Sequence, residues 1–314
     1  MSTVLVTGGA GFIGSSLVRA LLDQSARVVV LDNFVTGRRE NLEGLGSQVE
    51  VVEGDIRRSD DLARCMRGVD YVFHQAALAS VPRSMADPVT TNEVNVTGTL
   101  EVLRAAHRAS VKRVVLASSS SVYGETEELP KVEAMPHRPV SPYAVSKAAG
   151  ELYAQTFDRA FGLSTVCLRY FNVFGPRQDP NSEYAAVVPK FIARLLAGEP
   201  PTIFGDGLQT RDFCYVDNVV RANLQAALAP AASGRVYNVA VGTRVTLLEL
   251  VAMLNRVVGT SLSPVLAAER PGDIRHSLAA VDAARQDLGY EPSVTLEQGL
   301  ARTVQWYRAQ PTTA

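Results

Sequence analysis

Between Thr3 and Leu22 the chain passes from a short β-branched run, Thr3-Val4-Leu5-Val6-Thr7, through Gly8-Gly9-Ala10-Gly11-Phe12-Ile13-Gly14 into an amphipathic segment, Ser15 to Leu22. A strand that turns on glycines into a helix opens a parallel α/β sheet, and it is the context a dinucleotide fingerprint requires. Gly8 and Gly11 let the backbone turn tightly and approach a pyrophosphate, Gly14 lets helix and strand pack closely, and the helix amino end faces the anion. The spacing is Gly-x-x-Gly-x-x-Gly rather than the standard Gly-x-Gly-x-x-Gly, so a purely structural turn stays open at this point.

A second strand, Arg27 to Leu31, ends in Asp32, close to where an acid meets the adenosine ribose hydroxyls. A carboxylate there repels a 2'-phosphate, so NAD is expected over NADP. Arg38 and Arg39 are read as a solvated loop, with phosphate contact as the other reading. Strands are then expected at Val49 to Glu53, Tyr71 to Phe73, Arg113 to Ala117 and Ser164 to Leu168. Helices are expected near Asp60 to Met66, from Val89 to Ala109 and from Tyr143 to Phe161. This alternation predicts a doubly wound, Rossmann-type parallel sheet covered on both faces. Beyond it, prolines from Pro176 to Pro292 punctuate shorter elements, so a smaller C-terminal substrate domain is expected. The expected division is 1–174 for dinucleotide binding, with 212–242 returning to the sheet through a helix at Asp217 to Leu228 and a strand at Val236 to Val239, and 175–314 for substrate.

At 314 residues the chain is long enough for about two domains and a sizeable core. A net charge of −1 leaves no electrostatic footprint for nucleic acid. Cys65, Cys167 and Cys214 lack metal spacing and read as buried reduced thiols, and no metal is expected. Met1-Ser2 leads straight into the first strand, and no apolar run is long enough for a bilayer, so a cytoplasmic protein without membrane contact is expected.

Residues 143 to 147 read Tyr-Ala-Val-Ser-Lys. Four residues apart on a helix, phenol and ammonium share a face, which predicts that the Lys147 charge acts on Tyr143. Lowering a phenol from about 10 to roughly 7 takes on the order of 4 kcal/mol of preferential phenolate stabilisation, part of which a nearby cation supplies. Alone the pair is equally consistent with an exposed helix face.

Taken with the glycine turn and Asp32, these residues make the sequence resemble the extended short-chain dehydrogenase/reductase family, specifically its nucleotide-sugar 4-epimerases. Further matching stretches are Gly54-Asp55-Ile56, His74-Gln75-Ala76-Ala77, Asn95-Val96-Thr97-Gly98, Ser118 to Gly124, Arg169 to Arg177, Gln209 to Phe213 and Arg270-Pro271-Gly272-Asp273. The resemblance spans nearly the whole chain. It implies Ser119 as the partner of Tyr143 and Lys147 in a catalytic triad. It implies NAD held by Gly8, Gly11, Phe12, Ile13, Gly14 and Asp32, with Asn33, Asp55, Ile56, Ala76, Ala77 and Asn95 as further contacts. For a UDP-sugar it implies Arg211 and Arg270 on the pyrophosphate, Asp273 on the ribose, Phe204 at the uracil, Asn172, Ala186 and Val187 near the diphosphate, and Ser80 and Ser120 toward the sugar. His74 reads as structural, and Trp306 and Tyr307 as core.

Relatives that dehydrate sugars carry Asp and Glu after the triad serine, where this chain has Ser120 and Ser121. Neither is an acid near neutral pH, so elimination of water lacks its proton donor. What remains is removal of the 4-hydroxyl proton by Tyr143 with hydride transfer to NAD, rotation of the 4-keto sugar, and return of hydride to the other face. Gln178-Asp179-Pro180-Asn181 and Val81 to Ser84 resemble the branch acting on UDP-N-acetylhexosamines, and Ser277 in place of a bulky residue leaves room for an acetamido group. UDP-N-acetylglucosamine and UDP-N-acetylgalactosamine are therefore the expected pair, with UDP-glucose and UDP-galactose weaker. A UDP-glucuronate 4-epimerase and a non-catalytic NAD sensor are the alternatives. The resemblance further implies a homodimer through the helices at 89–109 and 143–161.

Overall fold

In a computed structural model, residues 2–180, 186–269 and 274–310 are described. Arg270 and Asp273 lie outside these residues. The chain begins β1 (Thr3–Thr7), α1 (Phe12–Asp23), β2 (Arg27–Asp32), β3 (Val49–Glu53), α2 (Ser59–Cys65) and β4 (Tyr71–His74). Two short helices follow, α3 (Val81–Ala86) and α4 (Pro88–Asn92); a π turn at Glu93–Thr97 then joins α4 to α5 (Gly98–Arg108). The single helix expected at 89–109 thus carries a π turn, a local widening that frees backbone and reorients side chains. Next come β5 (Arg113–Ser119), α6 (Pro142–Phe161) and β6 (Thr165–Tyr170). Helix α6 starts where Ser141 accepts from the Ala144 amide, with Pro142 in its first turn, and stops at the left-handed Gly162.

The remaining elements are shorter: β7 (Val173–Phe174), α7 (Val187–Leu196), β8 (Thr202–Phe204), β9 (Thr210–Arg211), β10 (Cys214–Tyr215), α8 (Val216–Leu228), β11 (Arg235–Val239), β12 (Val245–Thr246), α9 (Leu247–Val258), β13 (Val265–Ala267), α10 (Asp282–Leu288) and α11 (Leu296–Arg308). One seven-stranded parallel sheet runs β11-β6-β5-β4-β1-β2-β3. β7 pairs with β10, β12 with β9, and β13 with β8, each as a two-stranded ladder.

Alternation along the strands feeds two cores. Val4, Val28, Val30, Val115, Val166 and Leu168 face the layer of α1 and α8, whereas Leu5, Val29, Leu31, Val114, Leu116 and Cys167 face that of α2, α5 and α6. Burial on both faces explains why the strands read as unbroken apolar runs. β11 enters the sheet beside β6 and α8 packs on α1, so part of the later chain returns to the first layer. Cys65, Cys167 and Cys214 are buried and free. Among the described residues no helix is long and apolar enough to cross a membrane.

Candidate active site

Strand order reverses between β1 and β4, and in such sheets the crevice at the carboxyl ends of the strands receives ligands. A groove of about 320 Å³ lies there. Gly8, Gly11, Phe12, Ile13 and Gly14 form one wall, and Asp32, Asn33, Ile56, Ala76 and Ala77 continue it. The glycines are required by contact: a Cβ on Gly8, at φ +69, would sit 2.7 Å from Ala76 Cα, and one on Gly14 would meet the Gly8 carbonyl oxygen at 2.1 Å. The first bond of α1 runs from the Ser15 amide to the Gly11 oxygen and no side chain caps the helix, so its leading amides are left to the groove. That cradle, with a carboxylate at the end of β2, fits a dinucleotide diphosphate and ribose.

Asp32 accepts from the amides of Ala10 (2.9 Å) and Phe34 (2.8 Å), which fixes its rotamer at the wall. Burial pushes its carboxyl above the usual range while those two amides pull it back. Arg38 pairs with Asp179 and Arg39 with Glu53, in exposed ion pairs worth about 0–1 kcal/mol each. Asp55 and Asn95 do not line the groove. The Asp55 carboxylate is taken by Arg57 (2.7 Å) and Asn33 (3.3 Å), and the Arg57 bond holds it down at about 2. Asn95, in the π turn, accepts from the Leu78 amide (2.8 Å) and donates to the Leu78 oxygen and to Ser146 Oγ. It shapes the loop after β4 from behind.

A buried hydrogen-bonded chain supports that loop. The Ala76 amide donates to Thr7 Oγ1, which lies 2.7 Å from His74 Nδ1, and His74 Nε2 lies 2.9 Å from Thr99 Oγ1. Because Thr99 donates its own proton to the Asn95 oxygen, His74 must donate from Nε2 and accept at Nδ1. Burial, with the Lys147 charge nearby, drops the imidazole to about 3 and keeps it neutral. His74 is therefore a structural link.

At the head of the groove α6 presents Tyr143 and Lys147. Tyr143 faces Ser119 at the end of β5, close enough for that hydroxyl to act on the phenol. Lys147 does not bond the phenol: its Nζ donates to the Ala117 oxygen (2.8 Å) and lies 5.9 Å from the centre of the tyrosine ring. Burial pushes Tyr143 above its ordinary value, opposed by the Ser119 hydroxyl, and lowers Lys147 to about 8. The spacing does place both groups on one face, but burial works against ionisation of each, raising the phenol and lowering the ammonium. Ser120 and Ser121 open a short 3₁₀ turn, Ser120 to Tyr123, and Ser121 donates its amide to Ser119 Oγ.

A second cavity, of about 820 Å³, begins two residues beyond the groove-lining Tyr170. It brings together Asn172, Ala186, Val187, Phe204 and Arg211 from four separate segments. Asn172 adopts φ +35 and donates to the Asp212 oxygen (2.9 Å). The Asp212 carboxylate in turn accepts from the amides of Val241, Gly242 and Ala279. Ser80 caps α3, accepting from the Arg83 amide, beside Val81 on the cavity wall. The Ser277 amide donates to the Thr210 oxygen, which sets it alongside Arg211.

Sequence reasoning overlooked three site residues. Lys190 lines the larger cavity, three residues after Val187 on α7, a same-face spacing that could have flagged it. Tyr170 lines the groove with its hydroxyl held by Gln75 and Asn223, partners far apart in sequence. Asp212 stands beside the expected Arg211, but its three amide donors come from the loop after β11 and from Ala279, which no local pattern connects.

A family model described as NAD dependent epimerase/dehydratase family matches residues 4–240. The chain is 42% identical to the UDP-glucose 4-epimerase of Mycolicibacterium smegmatis, covering 97% of this chain and 98% of that one. It is similar to the structure of a UDP-N-acetylglucosamine 4-epimerase from Methanobrevibacter ruminantium in complex with UDP-N-acetylmuramic acid, at TM-score 0.95 and 42% identity over 99% of each chain. It also matches the Thermotoga maritima UDP-glucose 4-epimerase with UDP-glucose, at TM-score 0.93 and 39% identity over 98% of each chain. The glycine cradle, the Tyr143 helix and the match over residues 4–240 agree: the chain belongs to the NAD dependent epimerase/dehydratase family.

Proposed function

We propose that this protein is an NAD-dependent UDP-sugar 4-epimerase. The observation that carries the reading is Tyr143 and Lys147 lining the dinucleotide groove, with Ser119 facing Tyr143, together with a larger cavity that contains Arg211 and is lined by Asn172, two residues after the groove-lining Tyr170. NAD, held by the glycine cradle and Asp32, would supply a reversible hydride acceptor for carbon 4 of the sugar. Ser119 holds the reacting hydroxyl, Tyr143 takes its proton and later returns it, and the Lys147 ammonium stabilises the phenolate while it exists. Arg211, with Lys190, offers cationic contacts for a diphosphate, and Phe204 an aromatic face for the base. Serines at 120 and 121 leave no carboxyl acid to drive loss of water, which favours epimerisation over dehydration. Deprotonation of Lys147 removes its field, so kcat should fall as the pH rises through about 8.

The substrate pair we favour is UDP-N-acetylglucosamine and UDP-N-acetylgalactosamine, with UDP-glucose and UDP-galactose slower. The small Ser277 beside Arg211 and the similarity to a UDP-N-acetylglucosamine 4-epimerase support it. Proton NMR of the 4-epimers formed from UDP-N-acetylgalactosamine and, separately, UDP-galactose tests both levels: product from neither refutes the reaction, and faster turnover of UDP-galactose refutes the preference. Ser277→Tyr should cut acetylated turnover about tenfold or more while sparing UDP-galactose. The division of labour belongs to the same reading: 1–174 with 212–242 for NAD, the rest of 175–314 for the UDP-sugar, supported by β11 in the sheet and α8 on α1. A homodimer through α4 and α6 is proposed because Val89, Val145, Leu152 and Phe161 are exposed there. Leu152→Arg should convert a dimeric elution volume to a monomeric one.

A further inference from the structure

Three successive residues at the end of β5 are held by three residues of α6 spaced four apart. Ser119 meets Tyr143, the Ala117 oxygen accepts from Lys147 Nζ at 2.8 Å, and Ser118 Oγ donates to Glu151 Oε1 at 2.5 Å. Only the first two contacts belong to the proposed reaction. The third ends in an ion pair buried from solvent: Arg169 donates from Nε to Glu151 Oε1 (2.9 Å) and from its terminal nitrogen to Oε2 (2.7 Å), with side-chain exposures of 3% and 0%. Arg169 stands directly opposite Ser118 in the β5–β6 register, so Ser118, Glu151 and Arg169 close a triangle across two strands and the helix. His137 Nε2 lies 2.8 Å from both Glu151 and Arg169.

We propose that Glu151, clamped by Arg169, is a positioning residue for epimerisation: through Ser118 it sets where Ser119 stands relative to Tyr143. The inference rests on the epimerase reading above. A strand end is free to shift along or away from a helix unless something other than apolar packing fixes it, and hydrogen bonds on consecutive residues fix both. A charged pair with two parallel hydrogen bonds has a far narrower geometry than a packed leucine. Glu151 also faces Lys147 one turn away on the same helix. Burial lowers the ammonium, and Cys167 of β6 and then Glu151 oppose that fall. The other groups around these two are His74 on β4, Arg169 on β6 and His137 in the loop before α6.

The test combines Ser118→Ala, Glu151→Gln and Ser119→Ala in the NAD-loaded full chain. Ser118→Ala leaves the Glu151–Arg169 pair intact, so it keeps the question answerable should Glu151→Gln fold poorly. It should lower kcat about tenfold with KM for the UDP-sugar little changed. In the Ser119→Ala background the same substitution should cost less than about twofold, because the group it positions is gone. Folded Glu151→Gln should lower kcat further and move the alkaline limb of the kcat profile to lower pH, since Lys147 loses its carboxylate neighbour. Equal fold losses from Ser118→Ala with and without Ser119, or an unmoved alkaline limb in Glu151→Gln, would show that the triangle merely holds the fold and overturn the proposal. An inactive wild type would overturn the epimerase reading and this inference with it.

Discussion

The groove and the larger cavity are built on different plans. Much of the groove wall lies at or just beyond the carboxyl ends of strands in one continuous sheet, Gly8 after β1, Asp32 ending β2, Ala76 after β4 and Ser118 near the end of β5, with α6 adding Tyr143 and Lys147, so one register places most of it. The cavity is walled by helix α7 and by two-residue and three-residue strands whose partners lie 30 to 70 positions away, and polar anchors supplement their short ladders. Asp212 ties the chain at 172, 241, 242 and 279 into one cluster by accepting three amides while its own carbonyl takes Asn172. A reacting centre requires rigid placement, whereas a keto sugar that must turn over between two half-reactions needs a looser wall. The contrast between register and anchors matches that division.

The sharpest way to break the comparison is Tyr143→Phe, which should reduce epimerisation about 10³-fold while leaving NAD binding and the melting temperature near wild type. Near-wild-type turnover in the purified variant would remove the base from the groove side altogether. Asp212→Asn comes next. Turning one carboxylate oxygen into an amide sets donor against donor, with an expected loss of about 2 kcal/mol by urea unfolding and a raised KM for the UDP-sugar at unchanged NAD affinity. Equal damage to both affinities would mean the two regions are one mechanical unit. Asp32→Ala should weaken NAD about tenfold by calorimetry and narrow its advantage over NADP, leaving UDP binding alone.

The smallest effect is a pair of opposite pH responses. In Glu151 burial raises the carboxyl, but Arg169 and His137 outweigh it and hold it at about 2, below its ordinary 4.5. That contribution to stability is whole above pH 4.5 and is lost as the pH falls from there toward 2. Among the described residues no cation acts on Asp212, and burial outweighs its three amides to lift it to about 6 from 3.8. Its ionised form is the penalised one, so this site grows more stable as the pH falls through 6 toward 3.8. Denaturation midpoints across pH 3 to 7 should show the acid-side loss absent in Glu151→Gln and the mid-range gain absent in Asp212→Asn. A wild-type curve falling monotonically from 7 would contradict the Asp212 assignment.

Much of the groove was legible because its chemistry is local: three glycines, one acid at a strand end and a phenol one helical turn from an ammonium are patterns with a fixed period and a fixed geometric meaning. The sheet was legible for the same reason, since strands buried on both faces must be apolar throughout. Spacing also told that Tyr143 and Lys147 share a face. It could not tell that Lys147 would spend its proton donor on the Ala117 oxygen, or that burial would raise the phenol. Nor could it tell that Asn95 and Asp55, read from the motif, would bond to Leu78 and Ser146 and to Arg57 and Asn33. The joining of Asp212 to three distant amides and of Glu151 to Arg169 belonged to tertiary structure alone. These contacts run between segments far apart in the chain, and long-range pairing is chosen by the energy of the whole packed arrangement, for which no stretch of residues carries the code.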